Sequence, residues 1–174
     1  MTPLKTWKTP SGPHILASFQ NLDEQLRLLR SFIEDYRQAP SVRDLAVELA
    51  RQCEPRDKKA QALAVANWVK ENIYYVHELP ERFQTPIVTL EKRAGDCDDH
   101  TALIGAMIES IGIKCAMVVM NIDGRWRHIF PAAILPKTRK FLPLDSTTKV
   151  ARVEDMNPVT FAIQKGKRVR LKVA

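Results

Sequence analysis

Glycine is scarce in this chain, 6 of 174 residues, so Gly-rich phosphate-cradling loops and flexible linkers are not its theme. Long apolar runs are absent as well. No stretch approaches the ~20 residues that cross a bilayer, and the opening Met1-Thr-Pro-Leu-Lys-Thr-Trp-Lys-Thr-Pro10 lacks the apolar core of a secretory signal. Cysteine is limited to Cys53, Cys97 and Cys115, an odd number. That excludes a disulfide framework and points to a reducing, cytoplasmic compartment. Acidic residues are missing after Asp155, where Lys165, Lys167, Arg168, Arg170 and Lys172 stand uncompensated. The chain carries 27 Lys+Arg against 20 Asp+Glu, a net charge of +7. A basic tail can hold an acidic partner or nucleic acid, but no aromatic residues interleave it as a base-stacking platform would require. Lys167-Arg-Val-Arg-Leu-Lys-Val173 alternates basic with apolar, and this favours a solvated edge strand.

What is present is ordinary globular composition, 45% apolar and 27% charged, in a length suited to one domain. Residues 1–18 hold Pro3, Pro10, Gly12 and Pro13 and read as an irregular arm. Accessory helices are expected over 20–55: Leu22, Leu26, Leu29, Ile33 and Tyr36 recur at helical spacing, Pro40 stops that run, and Ser41–Asp44 opens a second helix. A third runs from about Asp57 to Asn72. After the β-prone Ile73-Tyr-Tyr-Val76 comes an irregular stretch around Pro80 and Pro86, then a helix from Cys97 to about Ser110 that Gly112 terminates. The period then becomes strand-like. Lys114–Ile122, the turn signal Asp123-Gly124, and Trp126–Leu135 form a hairpin, with further strands at 140–144 and 169–173. Helices first and an antiparallel sheet afterwards make an α+β fold, N-terminal helices packed on an antiparallel β-sheet.

The chemistry concentrates in Arg93-Ala-Gly-Asp-Cys97-Asp-Asp-His-Thr-Ala-Leu103. It puts a cysteine at the first turn of a helix, where unpaired N–H groups favour thiolate and can receive an oxyanion. His128 follows 31 residues later on the return strand, and Asp145 lies 17 residues further at the end of the next strand. Cysteine, histidine and aspartate on three separate elements fit the nucleophile, base and orienter of covalent catalysis. Asp96 and Asp98 flank the thiol and oppose its ionisation, so activation rests more heavily on His128. Cys97 N–H supplies one oxyanion donor. Gln84, upstream, is a candidate for the second, with a solvated loop residue as the alternative.

Gly95-Asp-Cys97-x-Asp99, Ile111-Gly112-Ile113, Trp126-Arg-His128 and Leu144-Asp145-Ser-Thr147 resemble, in order and spacing, the transglutaminase-like superfamily. Trp68-Val-x-x-x-Ile73-x-Tyr75 and Thr89-Leu90-x-x-Arg93-x-Gly95 match it too, so the likeness covers roughly residues 60–148. The resemblance implies a papain-like core over 56–148, with Cys97 as nucleophile, His128 as base and acid, and Asp145 orienting the imidazole. The implied reaction is acyl transfer or amide hydrolysis on a protein or peptide substrate through a thioester. Water as acceptor makes a protease or deamidase; a lysine amine makes a transglutaminase. No cofactor is implied. Compact versions of this kind also resemble proteins encoded among phage virion genes, which would place the chain in a host cytoplasm or a virion. A structural assembly protein is the alternative, with residues 1–18 and the basic extension 149–174, above all 165–174, docking neighbours.

Simpler roles compete for the same residues. Free cysteine is more often buried and inert, and Asp145 can cap the Ser146-Thr147 turn. His100, at i+3 from Cys97, shares its helix face. Asp96, Cys97, Asp99 and His100 are too bunched for a good metal pattern, so Asp98, Asp99 and His100 are expected to neighbour the site without binding metal. Trp126 either shields the site or fills the strand. Cys53 and Cys115, in apolar helix and strand patterns, read as structural and buried, and Trp68, Tyr74 and Tyr75 as core and groove wall; His14 and His77 have no motif around them.

Overall fold

Leu26, Leu29, Phe32 and Ile33 fall on one side of a 3.6-residue repeat, and α1 (Leu22–Tyr36) buries all four. The computed structural model describes residues 5–9, 12–16, 22–77, 83–122, 125–147, 161–164 and 167–170, with side chains at 22–77, 83–120 and 128–147. Pro40 does not end α1. It is the first residue of α2 (Pro40–Arg51), after an extended Ala39 that offers no side-chain cap. Proline suits that position, because its missing N–H would have no helical partner there. Asp57 caps α3 (Lys58–Asn72) by accepting from Ala60 N–H at 2.9 Å.

The stretch read as irregular around Pro86 holds α4 (Pro86–Lys92). Thr85 caps it and Pro86 occupies its first turn, a start signal that was available in the sequence. Arg93 ends α4 in a left-handed conformation and sets its guanidinium 4.9 Å from the centre of the Trp68 ring. Helix α5 (Cys97–Ser110) has no solvent face along most of its length: every residue from Asp98 to Ile108 is buried. It is the central rod of the molecule, packed by α1, α2, α3, α4 and the sheet. Gly112, at φ +79°, closes it as expected, with Ile113 N–H reaching back to the Ile108 carbonyl.

The main sheet has the order β10-β9-β6-β7-β8 and is antiparallel throughout. Strands β6 (Lys114–Ile122) and β7 (Arg125–Ile134) form the expected hairpin, Ile122 opposite Arg125. Asp123 and Gly124 lie outside the described residues. The third strand is β8 (Phe141–Pro143). The tail supplies β9 (Phe161–Gln164) and β10 (Lys167–Arg170), which starts two residues before the expected strand and lies at the sheet edge. Residues 1–18 depart most from the reading. They contain β1 (Lys5–Thr9) and β2 (Gly12–Leu16), a hairpin that β4 (Phe83–Gln84) extends into a second, antiparallel sheet. Pro13 is tolerated in β2 because β4 pairs only with His14 and Ile15. Residues 1–4, 10–11, 17–21, 165–166 and 171–174 of the proposed docking segments and their surroundings lie outside the described residues.

A two-stranded parallel ribbon completes the fold, β3 (Tyr74–Tyr75) beside β5 (Ala94–Gly95). Tyr74 and Tyr75 are therefore exposed, 77% and 51%, rather than core.

Gly105 fixes how closely α1 approaches α5. A Cβ there would lie 2.6 Å from Ile33 Cδ1, 2.8 Å from its Cγ1 and 3.3 Å from Cys115 Sγ. Ile33 is fully buried, so its side chain must shift against core neighbours to make room. Overpacking costs about 1–3 kcal/mol, against about 1 kcal/mol of gained helix propensity. Gly105→Ala is thus expected to lower stability by up to about 2 kcal/mol, read as a reduced urea midpoint at unchanged slope.

Candidate active site

Cys97 is the first residue of α5, and the turn before it is built to present it. Asp96 caps the helix, its Oδ1 accepting from Asp98 N–H at 3.1 Å and Asp99 N–H at 3.4 Å. Asp99 returns the favour through Oδ2, which accepts from Asp96 N–H at 3.2 Å, and completes a capping box. Asp99 also accepts from Gln84 N–H at 2.7 Å and from Gln84 Nε2 at 2.7 Å, joining β4 to the start of α5. Gly95 makes room for this carboxylate: a Cβ there would sit 2.6 Å from Asp99 Cβ.

These bonds decide two of the expected neighbours. Gln84 Nε2 gives its two hydrogens to Asp99 Oδ2 and, at 3.1 Å, to the Ala94 carbonyl, so neither is left for an oxyanion. Gln84 is also buried, not a solvated loop residue. Asp99 faces away from chemistry into the fold. Burial, with Asp96 close by, pushes its carboxyl up, against the pull of three donated hydrogen bonds.

The other half of the site comes from the sheet. Strand β8 ends at Pro143, so among the described residues no strand pairs with that edge of β7 from Pro131 back toward His128. Leu144 N–H makes one last bond to the Pro131 carbonyl at 2.9 Å. Residues 129, 131 and 133 direct their main-chain groups to this edge, and Ile129 N–H there acts to lower the Cys97 thiol pKa. Met120 pairs with His128 and Asn121 with Trp126, leaving Arg127 as the extra residue of a β-bulge beside His128. The Trp126 side chain lies outside the described residues.

Past Leu144 the chain turns and brings Asp145 to His128, Oδ2 to Nε2 at 2.6 Å. The other oxygen, Oδ1, accepts from Thr147 N–H at 2.9 Å and Thr147 Oγ1 at 2.7 Å. Asp145 therefore caps its turn and holds the histidine at once. Burial works against its charge, but the bond and charge of His128 and the Thr147 donors outweigh it and hold the carboxyl below its usual range. With Nε2 taken by Asp145, Nδ1 is the imidazole nitrogen open to a thiol proton.

The thiol itself departs from expectation. The helix terminus was expected to favour thiolate, with Asp96 and Asp98 partly opposing it; burial, the largest effect, joins Asp98 and Asp96 and pushes the Cys97 thiol well above its ordinary range, and Ile129 N–H pulls back. Cys97 Sγ lies 3.8 Å from Asp98 Oδ1, where its proton can point. A half-charge at a helix end does not offset two adjacent carboxylates in a desolvated site.

His100 is 2% exposed, its Nδ1 2.7 Å from Ser146 Oγ, and Tyr75 stands edge-on to it, ring centres 6.2 Å apart. Tyr75 is a wall of the site, its phenol pushed up by partial burial and by nearby Cys97, Asp96, Asp98 and Asp145. Sequence reasoning missed Ile129 N–H, Thr147 and the ties of Ser146. Only the Asp-Ser-Thr turn signal pointed toward the last two. Among the described residues, no three His, Cys, Asp or Glu side chains gather as metal ligands, and no helix is long and apolar enough to cross a membrane.

Among curated proteins, none matches the chain. Two solved structures share its fold. A candidate cysteine protease from Cytophaga hutchinsonii is 17% identical, with TM-score 0.53 over 78% of this chain and 50% of that one. A candidate protease from Parabacteroides distasonis ATCC 8503 is 12% identical, with TM-score 0.63 over 94% of this chain and 34% of that one. The chain thus spans half and about a third of these two proteins. The papain-like α+β core is common ground between them and the architecture above. The sequence profile of the transglutaminase-like superfamily matches residues 43–156, well over half the chain, and the chain belongs to that superfamily.

Proposed function

We propose that this protein is a cysteine-dependent enzyme of acyl transfer or amide hydrolysis, with Cys97 as nucleophile, His128 as base and acid, and Asp145 as orienter. The observation that carries the reading is the pairing of Asp145 Oδ2 with His128 Nε2 at 2.6 Å, on the strand whose next amide, Ile129 N–H, acts to lower the Cys97 thiol pKa. It leaves the imidazole's other nitrogen for the thiol proton.

His128 Nδ1 takes the thiol proton as Cys97 Sγ bonds to the carbonyl carbon of a carboxamide or peptide. The carbonyl electron pair moves to oxygen, and Cys97 N–H is the donor available to it. Among the described residues, the amides of Asp98, Asp99 and His100 are already spent on Asp96. Collapse breaks the C–N bond, His128 gives its proton to the departing nitrogen, and a thioester remains. Water, deprotonated by His128, then releases a carboxylic acid; a lysine amine in its place yields a cross-link. The protease names of the two structural neighbours favour water and a protein or peptide substrate.

A second reading, an assembly protein on the same scaffold, finds support in the protonated, partly buried thiol. In that role residues 1–18 and 165–174 dock neighbouring proteins, a virion component being one case. The discriminating experiment incubates the protein with a mixed peptide library, with and without hydroxylamine, and reads new acids and hydroxamates by mass spectrometry. Products from wild type that vanish in Cys97→Ala support the enzyme. Equal products from both overturn it, and no product from either favours the scaffold.

A further inference from the structure

We propose that His100 is a positioning residue for the His128–Asp145 pair: its bond to Ser146 locks the turn carrying Asp145 to the first turn of the helix carrying Cys97. The inference rests on the reading of Cys97, His128 and Asp145 given above. His100 lies one helical turn from Cys97, and Ser146 follows Asp145 directly in the chain. Their bond, Nδ1 to Oγ at 2.7 Å, is therefore a short cross-brace between the two halves of the site. Ser146 is held from a second helix as well, its carbonyl 3.4 Å from Lys70 Nζ on α3.

Packing alone does not account for a histidine here. His100, Ser146 and Asp145 are 2%, 5% and 3% exposed, and a leucine would fill the space without a polar group to satisfy. The imidazole stays neutral: burial takes its pKa down to about 4, Lys70 adds to this, and Asp145 and the Tyr74 carbonyl oppose it. A neutral ring offers one donor and one acceptor, enough to bind Ser146. It places no positive charge beside Asp145, so the carboxylate remains available to His128. Other ties of this turn are the Thr147 bonds internal to it, Leu144 N–H to Pro131, and Asp145 itself to His128. Without the brace, Asp145 can drift from a geometry in which an ångström matters.

The test compares Ser146→Ala, His100→Leu and His100→Asn with wild type by two readouts. The first is the downfield proton resonance of His128 Nε2–H shared with Asp145, with Asp145→Asn as the reference for its loss. The second is site-resolved iodoacetamide labelling of Cys97 at neutral pH, with His128→Ala as reference. Ser146→Ala and His100→Leu are expected to broaden or lose the resonance and to slow labelling about tenfold, as loss of a supporting hydrogen bond does in other sites. His100→Asn, which keeps a group near Nδ1, is expected to restore both to within about threefold. Ser146→Ala removes one oxygen only and keeps the comparison valid if His100→Leu fails to fold. An unchanged resonance in both disrupting variants overturns the positioning role, whatever happens to labelling. Labelling of wild type that ignores His128 overturns the catalytic reading instead, while the resonance still decides the role of His100.

Discussion

His128→Ala and Cys97→Ala are each expected to remove at least about 10⁴-fold of turnover on any peptide that the wild type cleaves, with the fold intact. For cysteine the reason is the bond it makes. For histidine the reason lies in the surroundings of the thiol. Burial and the carboxylates of Asp98 and Asp96 keep Cys97 protonated at neutral pH, so the sulfur becomes a nucleophile only as its proton leaves for a base. His128 is the base that Asp145 holds in place. The sign of the pH effect follows. In His128→Ala, labelling of Cys97 must wait for free thiolate, so its rate should keep rising past the ~8.5 of an ordinary thiol. The gap between wild type and His128→Ala is widest near neutrality and closes as pH rises. Asp98→Asn should act the other way and lower the thiol pKa. Each unit of fall gives ten times more thiolate, but each thiolate is about threefold less nucleophilic, a net gain of about threefold. Cys53 and Cys115 serve as internal controls. A His128→Ala protein whose Cys97 labels like wild type at pH 7 would remove the base from the mechanism.

Asp99→Ala is expected to cost about 3–5 kcal/mol, much of the 5–15 kcal/mol that holds a domain of this size together. The carboxylate accepts from Gln84 N–H, Gln84 Nε2 and Asp96 N–H, and its removal orphans three buried donors. Each orphan costs about 1–3 kcal/mol, less what water recovers on entering the gap. Both the capping box of α5 and the anchor of β4 depend on this one side chain. Asp99→Asn keeps one oxygen but turns its amide toward donors, and should cost about 1–3 kcal/mol. It should also flatten the pH dependence. Burial and Asp96 raise the Asp99 pKa, so its contribution is fullest at low pH and is lost as pH climbs above the usual aspartate range. Urea unfolding followed by tryptophan fluorescence reads both effects. An Asp99→Ala protein within 1 kcal/mol of wild type would show that the network does not carry the site.

Local rules made part of this readable in advance. Helical spacing gave α1 and α3, the Asp123-Gly124 signal gave the β6–β7 hairpin to within a residue, and Gly112 marked the end of α5. The same rules failed where a partner distant in sequence decides the structure. The short strands β1 and β2 exist by pairing with each other and with β4, whose two residues carry no periodic signal of their own. Pro40 looked like a stop and is a start, because proline is compatible with both ends of a connection.

By itself the sequence determined which residues could do chemistry here: a cysteine opening a helix, a histidine on a hairpin strand and an aspartate beyond it, in a spacing shared with one superfamily. Those are properties of residue type and local conformation. Only the tertiary structure decided what each group is worth. It spent Gln84 on Asp99, exposed Tyr75 at the rim, brought β7 toward the Cys97 sulfur, and buried that sulfur so that the flanking carboxylates act on it in a desolvated site. Solvation and charge–charge energies depend on which atoms end up within a few ångströms, and no pattern along the chain encodes that distance.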